Sequence, residues 1–94
     1  MKYFALIYYL IDGYLARRAQ FREEHLRQAR EAHSRGEMLL AGALGEPPDR
    51  ALLIFRAPDI STPEAFARND PYVINGLVTR WEVRPWIVVI GAQD

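Results

Sequence analysis

Residues 14–36, YLARRAQFREEHLRQAREAHSRG, predict one long amphipathic helix, and the rest of the chain is organised around it. At about 100° per residue, one arc of this helix carries the apolar side chains Leu15, Ala19, Phe21, Leu26, Ala29 and Ala32. Charged and polar side chains fill the opposite arc. Gly36 is suited to end the helix, because glycine readily adopts the left-handed conformation found just beyond many helix C-termini.

Four polar residues interrupt the apolar arc: Arg18, Arg22, His25 and His33. The first three are spaced i, i+4, i+7 and therefore form one stripe on the face that should meet the rest of the protein. A solvated helix would not need cations on that face. Because buried charge costs several kcal/mol unless something pairs it, the stripe is the first indication of a functional site.

The remaining patterns predict strands at residues 2–10, 37–44, 51–57 and 79–91, with Pro85 indicating an edge strand or a bulge. A short helix is predicted from Ser61 to about Asn69, followed by a helical turn that opens at Asp70. The order βαββαβ is the ferredoxin-like arrangement. We therefore expect an α+β fold with a four-stranded antiparallel sheet and two helices on one face.

The first and third strands, and the end of the fourth, are apolar on both faces. Two helices can cover only one face of a four-stranded sheet, so the other face would expose a larger apolar patch than monomers usually carry. Packing the open faces of two copies together would cover it. The pattern therefore predicts a homodimer through sheet faces.

Length and composition exclude several classes of protein. The 94 residues predict a single domain over residues 1–94, with 50% hydrophobic and 26% charged residues. Twelve basic residues balance twelve acidic ones, so we expect no nucleic-acid partner. The chain lacks cysteine, and its first apolar run is too short to span a membrane, so we expect no membrane association and a cytoplasmic location.

His25 and Asp70 are the catalytic candidates. An imidazole titrates near neutral pH and can serve as a general acid or base, and a carboxylate can fix its tautomer. Each residue also has a structural interpretation, since His25 could be a core histidine bonded to a backbone carbonyl and Asp70, which precedes Pro71, could be a helix N-cap. The separation of 45 residues between His25 and Asp70 does not decide between the catalytic and the structural interpretation.

Four further residues are predicted to bind substrate. Arg18 and Arg22 can hold a carboxylate or another anion, Tyr72 lies in an irregular segment where a phenol could line a pocket, and Gly42 could mark a close approach. No third ligand accompanies the two histidines, so we expect no metal. No phosphate-binding or dinucleotide-binding glycine motif is present, so we expect no cofactor.

The chain resembles the YCII-like (YciI-related) family of small proteins over nearly its whole length. The resemblance rests on four groups of residues: Arg22-Glu23-Glu24-His25-Leu26; Gly36-Glu37 leading to Leu40-Ala41-Gly42-Ala43-Leu44; Asp70-Pro71-Tyr72-Val73 with Asn75-Gly76-Leu77; and Glu82-Val83-Arg84-Pro85-Trp86. One departure is that the turn before the third strand usually contains a glycine, whereas here Arg50 follows Pro47-Pro48-Asp49. That departure bears on the geometry of the hairpin more than on the site.

The resemblance implies a dimeric α/β barrel of ferredoxin-like subunits and an active site built on a histidine and an aspartate, which fall here on His25 and Asp70. The activities assigned in the family include dehydrochlorination of a chlorinated hydroxyhydroquinone. Related dimeric barrels include muconolactone isomerases and cofactor-free monooxygenases.

Three functions remain open from the sequence. The first is a small enzyme of lyase, dehydrochlorinase or isomerase type, using His25 and Asp70 for acid/base chemistry on a small anionic or phenolic molecule. The second is a non-catalytic dimer that binds a small metabolite. The third is a structural dimer whose arginines are held in internal salt bridges. Paired His25 and Asp70 beside an open cavity would favour the first.

Overall fold

The computed structural model describes residues 1–92 and shows a four-stranded antiparallel sheet with helices against one face. The elements in chain order are β1 (Lys2–Leu10), α1 (Tyr14–Arg18), α2 (Arg22–Ser34), β2 (Met38–Leu44), β3 (Arg50–Ala57), α3 (Ser61–Asn69), α4 (Pro71–Ile74) and β4 (Val78–Trp86). The strands lie side by side in the order β2-β3-β1-β4. This confirms the predicted ferredoxin-like α+β fold, with each of its two helical regions split into two segments.

The prediction of one continuous helix over residues 14–36 is wrong. The helix is interrupted at residues 19–21, and the buried residue of α1 is Tyr14, which does not belong to the predicted apolar arc. Leu15 is 47% exposed, whereas its neighbour Tyr14 is buried and packs edge-on against the ring of Tyr72, with 5.7 Å between centroids. The sequence has no glycine or proline at the interruption, so the local pattern does not reveal it.

Glycines end α2 and α4 in the same way. Gly36 has φ 78° and Gly76 has φ 79°, in the left-handed region. In each case the glycine N–H donates to the carbonyl three residues back, and the next residue donates to the carbonyl five residues back. These two bonds form the Schellman motif, which satisfies carbonyls that the helix end leaves unpaired. The predicted end of the long helix near Gly36 is therefore accurate.

The helices cover the sheet face that carries Phe4, Leu6 and Tyr8 of β1, which are 4%, 0% and 1% exposed. On β3, the residues paired in register with these three are also buried. The alternate residues of β1, from Tyr3 to Tyr9, are half-buried on the opposite, open face. The core of the described chain therefore lies between the helices and one face of the sheet.

The fourth strand is shorter than predicted, since it ends at Trp86 rather than continuing to Gly91. Trp86 pairs with Tyr3, and β1 begins at Lys2. Beyond Trp86, Lys2 is the last residue of β1 that β4 could pair with, so strand propensity alone cannot extend β4 to Gly91. Pro85 is tolerated because β4 is an edge strand, as predicted.

The hairpin between β2 and β3 forms despite the proline-rich turn. The Asp49 N–H donates to the Leu44 carbonyl at 3.0 Å, and the strands pair from Leu44 and Arg50 onwards. The register shifts between Met38 and Leu40, which marks a bulge near the start of β2.

Candidate active site

Asp70 lies at the junction of α3 and α4, and its carboxylate is completely buried. Its Oδ1 accepts the backbone N–H of Tyr72 at 2.9 Å, which caps α4, and Pro71 occupies the first turn. Its oxygens also contact His25 Nδ1 at 2.9 and 3.0 Å, and Oδ2 accepts the Tyr8 hydroxyl at 2.7 Å. Three donors thus converge on one buried carboxylate, and an ionised carboxylate acts as an acceptor only. Asp70 is both a helix cap and the partner of His25.

His25 lies in the first turn of α2, and its side chain is 14% exposed. Since the surrounding donors leave Asp70 to act as an acceptor, Nδ1 carries a hydrogen, and in the neutral imidazole Nε2 has the lone pair. The ring stacks on Tyr72, with 3.9 Å between centroids and 10° between planes. The imidazole is therefore fixed in position by a hydrogen bond on one edge and by an aromatic ring on one face.

Tyr8 also belongs to this cluster, although the sequence did not predict it as a site residue. Its hydroxyl bonds Asp70, and burial, followed by the neighbouring carboxylate, raises the pKa of Tyr8 far above its ordinary value. Tyr8 shares the helix-facing side of β1 with Phe4 and Leu6. A phenol at a core-facing position of a strand needs a buried acceptor, and that requirement was the signal available in the sequence.

Tyr72, in the first turn of α4, is 2% exposed, and no group of residues 1–92 forms a well-aligned hydrogen bond with its hydroxyl. Burial raises the pKa of Tyr72, while a polar contact with the Arg22 guanidinium and the charges of Arg22 and Arg18 act in the opposite direction. The hydroxyl therefore stays protonated near neutral pH and remains available as a donor. A buried polar atom without a partner requires an explanation, and a bound ligand is one that fits.

These side chains line a cavity of about 240 Å³ between the first two helices and the sheet. Its walls combine aromatic, cationic and small residues: Tyr8, Tyr14, Arg18, Arg22, His25, Leu26, Ala29, Ala41, Gly42, Ala43, Ala51, Leu53 and Tyr72. Every residue predicted for the site lines this cavity except Asp70, which contacts the lining residues His25 and Tyr8.

Arg18 and Arg22 give the cavity its positive charge. Arg18 lies over the ring of Tyr14, with 5.5 Å between the guanidinium carbon and the ring centroid. Neither arginine forms an ion pair with any of residues 1–92. The carboxylate of Asp70 already accepts from three donors and forms no ion pair with either arginine, so both guanidinium groups can attract another anion.

Gly42 lines the cavity from the edge strand β2. A Cβ built at this position meets no atom of the described chain within 4 Å. No neighbour within residues 1–92 therefore accounts for the glycine, and an approach by a ligand or by another chain stays a prediction.

No group of three or more potential metal ligands occurs among the histidine, aspartate and glutamate side chains of residues 1–92. In the same part of the chain, no helix is long and apolar enough to cross a lipid bilayer.

Comparison with known proteins gives a family match and a structural neighbour. A family model described as the YCII-related domain matches residues 1–87. A solved structure, 5-chloro-2-hydroxyhydroquinone dehydrochlorinase (TftG) from Burkholderia phenoliruptrix AC1100 in complex with 2,5-dihydroxybenzoquinone, is similar with a TM-score of 0.74. The two chains are 19% identical over 90% of this chain and 93% of that one, so the likeness shows the fold alone. No match was found among curated proteins.

Proposed function

The chain belongs to the YCII-related family, and from that premise we propose that it is a small cofactor-independent enzyme whose base is His25. The pairing of His25 with buried Asp70 beside an open cavity carries the proposal. Proton transfer alone is enough for elimination and isomerisation reactions, so lyase, dehydrochlorinase or isomerase chemistry fits these residues.

Nε2 of His25 is the base in this proposal. Because Nδ1–H is held by Asp70, the lone pair of Nε2 is the part of the ring left for a substrate in the cavity. When Nε2 takes a proton, the imidazolium that forms is stabilised by the carboxylate behind it. In an elimination, the electron pair of the broken bond moves through the substrate and expels the leaving group as an anion, so no electron acceptor is required.

Tyr72 and the two arginines bind and stabilise negative charge on the substrate. The unpartnered Tyr72 hydroxyl donates to a substrate oxygen, and Arg22 and Arg18 supply the counter-charge. Donors fixed in place before the reaction favour the transition state if charge develops on that oxygen. The stacking of Tyr72 on His25 supports this proposal, because it keeps the proposed donor and the proposed base next to each other.

Cavity size and lining restrict the substrate class. About 240 Å³ is below the roughly 300–1,000 Å³ typical of pockets for drug-sized ligands, so a molecule with one ring fits better than a larger one. Three tyrosines in the lining favour a planar ring, and the arginines favour a carboxylate or phenolate. Dehydrochlorination by the neighbour TftG, which acts on a single-ring phenol, supports this class.

The first experiment uses the ligand and the substrate named for that neighbour. Titration of ¹⁵N-labelled protein with 2,5-dihydroxybenzoquinone should shift the amides around the cavity. Incubation with 5-chloro-2-hydroxyhydroquinone, followed by a chloride assay, tests turnover. His25→Gln should abolish turnover while preserving the fold.

His33→Gln is the matched control, because His33 lies on the same helix and bonds the Met38 carbonyl instead of a carboxylate. Equal loss of activity in both variants would contradict a catalytic role for His25. Binding without turnover of this compound or other single-ring phenols would favour the alternative of a small-molecule-binding dimer.

We also propose that two copies pack through their open sheet faces. The open face carries half-buried Tyr3, Ala5 and Ile7, and Leu40 at one end is 70% exposed. Sedimentation equilibrium should give a dimer, and Ile7→Arg should dissociate it because two added cations would face an apolar surface. Ile60→Arg, on an exposed residue just before α3, is the control. A monomer at all concentrations would contradict the proposal.

A further inference from the structure

A second pocket, of about 190 Å³, lies where the end of β1 and the start of α1 meet the turn between β2 and β3. We call this space the outer pocket, and its apolar lining consists of Leu10, Ile11, Leu15, Pro47 and Pro48. Within residues 1–92, Tyr14 is the one residue that lines both the outer pocket and the cavity beside His25. The two spaces therefore adjoin at Tyr14.

The ring of Tyr14 is held in place by its neighbours. Tyr14 is 6% exposed, its ring meets that of Tyr72 edge-on, and the guanidinium of Arg18 lies over it. Tyr72 in turn stacks on His25, with 3.9 Å between ring centroids. A single aromatic ring, that of Tyr72, thus connects the proposed base to Tyr14. A bound molecule that extends beyond one ring towards α1 meets the side chain of Tyr14.

We propose that the ring of Tyr14 is a partition that determines the size of the substrate. This inference rests on the function proposed above and names the residue that restricts its substrate class. With the ring in place, the cavity accepts one aromatic ring and excludes a substituent directed towards α1, because extra atoms in a close-packed site force neighbouring side chains out of their rotamers. With the ring removed, the outer pocket becomes a subsite continuous with the cavity.

The outer pocket suits an uncharged, apolar substituent. Its volume of about 190 Å³ is comparable with the roughly 150 Å³ of an apolar cavity that can hold benzene. Asp12 and Asp49 are the charged residues in its lining, and their carboxylates repel a second anionic group on the substrate. An alkyl or phenyl group therefore fits this pocket better than a carboxylate does.

Binding of substituted ligands tests the partition. Calorimetry compares 2,5-dihydroxybenzoquinone with its 3-methyl, 3-propyl and 3-phenyl derivatives in the wild type and in Tyr14→Ala. In the wild type, the affinity should fall by about tenfold or more from the parent to the propyl and phenyl compounds. In Tyr14→Ala, the affinity should instead rise along the alkyl series, by about fourfold for each methylene that enters the outer pocket.

Three further variants isolate the effect of the ring. Tyr14→Phe keeps the ring and loses the hydroxyl, so it should discriminate between the quinones by size as the wild type does. Leu15→Ala enlarges the outer pocket but leaves the partition, so it should gain no affinity for the propyl compound. Tyr14→Leu leaves a smaller apolar side chain, should show part of the gain, and replaces Tyr14→Ala if the alanine variant does not fold.

Crystals pressurised with xenon give a readout that needs no ligand, because xenon enters apolar cavities. Tyr14→Ala should show one continuous space from His25 to Pro47, whereas the wild type and Leu15→Ala should show two. Two separate spaces in Tyr14→Ala overturn the partition. A wild type that binds the propyl compound as tightly as the parent, or a Tyr14→Ala variant that binds the parent but gains nothing along the series, also overturns it. A joined space in a protein that binds none of the quinones supports the partition and contradicts the substrate class proposed above.

Discussion

Replacing Asp70 by asparagine should reverse the tautomer of His25. The backbone N–H of Tyr72 can only donate, so the asparagine Oδ1 must stay beside it. The amide nitrogen then takes the place of Oδ2, beside Tyr8 and His25. The Tyr8 hydroxyl can rotate to accept. Nδ1 of His25 lies 2.9 Å from Oδ1, which still accepts, and 3.0 Å from the position of the amide nitrogen, which donates. The amide N–H repels a hydrogen on Nδ1 and can bond a lone pair there, so the variant favours the tautomer with its hydrogen on Nε2, which then ceases to be a base.

The cost in stability follows from the same contacts. Hydrogen bonds to a charged acceptor contribute about 1 kcal/mol more than neutral ones, so three of them lose about 3 kcal/mol in the variant. The asparagine avoids part of the desolvation penalty of a buried carboxylate, which offsets some of that loss. We expect a net decrease in the free energy of unfolding of about 1–2 kcal/mol. Asp70→Ala, which leaves three buried donors without an acceptor, should cost about 4 kcal/mol or more.

Long-range ¹H–¹⁵N correlation spectra distinguish the two ring nitrogens, and urea unfolding gives the stability. The wild type should show hydrogen on Nδ1 of His25, and Asp70→Asn should show it on Nε2. His33 is an internal control, because its Nδ1 lies 2.8 Å from the Met38 carbonyl, which cannot donate, so its tautomer should not change. If His25 keeps its hydrogen on Nδ1 in a folded Asp70→Asn variant, the remaining Oδ1 acceptor outweighs the amide N–H, and the argument that the second carboxylate oxygen sets the tautomer is refuted.

Three further predictions follow from the cavity and its tyrosines. Tyr72→Phe should weaken binding of 2,5-dihydroxybenzoquinone, measured by calorimetry, by about five- to tenfold while leaving urea stability unchanged, because the hydroxyl has no partner in the described chain. Arg22→Gln should weaken the same binding by about tenfold at low salt and less at high salt. Arg30→Gln, which changes another exposed arginine of α2, should leave the binding unchanged. Stability should fall as pH rises above about 10, because unfolded tyrosines lose protons that the folded chain retains at Tyr8 and Tyr72, whose pKa values are raised. Above pH 10, Tyr8→Phe should reduce the decrease of the free energy of unfolding with pH by about 1.4 kcal/mol per pH unit, as measured by urea unfolding. An unchanged pH dependence would contradict a raised pKa of Tyr8.

The element order could be predicted because it depends on local patterns. Alternation, turn residues and helix caps marked the strands and helices within a few residues of their observed bounds. Contacts that depend on distant residues could not be predicted in this way. The interruption at residues 19–21 has no breaker in the sequence, and the end of β4 at Trp86 is set by where β1 begins.

The candidate site shows the same division. The stripe of Arg18, Arg22 and His25 could be recognised from helical spacing, and all three residues line one cavity. The contact between His25 and Asp70 depends on α4 lying beside α2, which 45 residues of sequence do not specify. Tyr8 was missed because β1 is aromatic on both faces, so its local pattern does not distinguish the phenol that bonds Asp70 from those of Tyr3 and Tyr9.

The structural and functional interpretations of Asp70 are compatible, and their combination has a physical advantage. A carboxylate on a flexible side chain would lose conformational freedom each time it oriented the imidazole. Asp70 has already lost that freedom, because Oδ1 is held by the N–H of Tyr72 and Oδ2 by the buried hydroxyl of Tyr8. The stability of the fold therefore maintains the position of the acceptor, and His25 Nδ1 meets it already in place. It also follows that variants which loosen the start of α4 should disturb His25 without touching it.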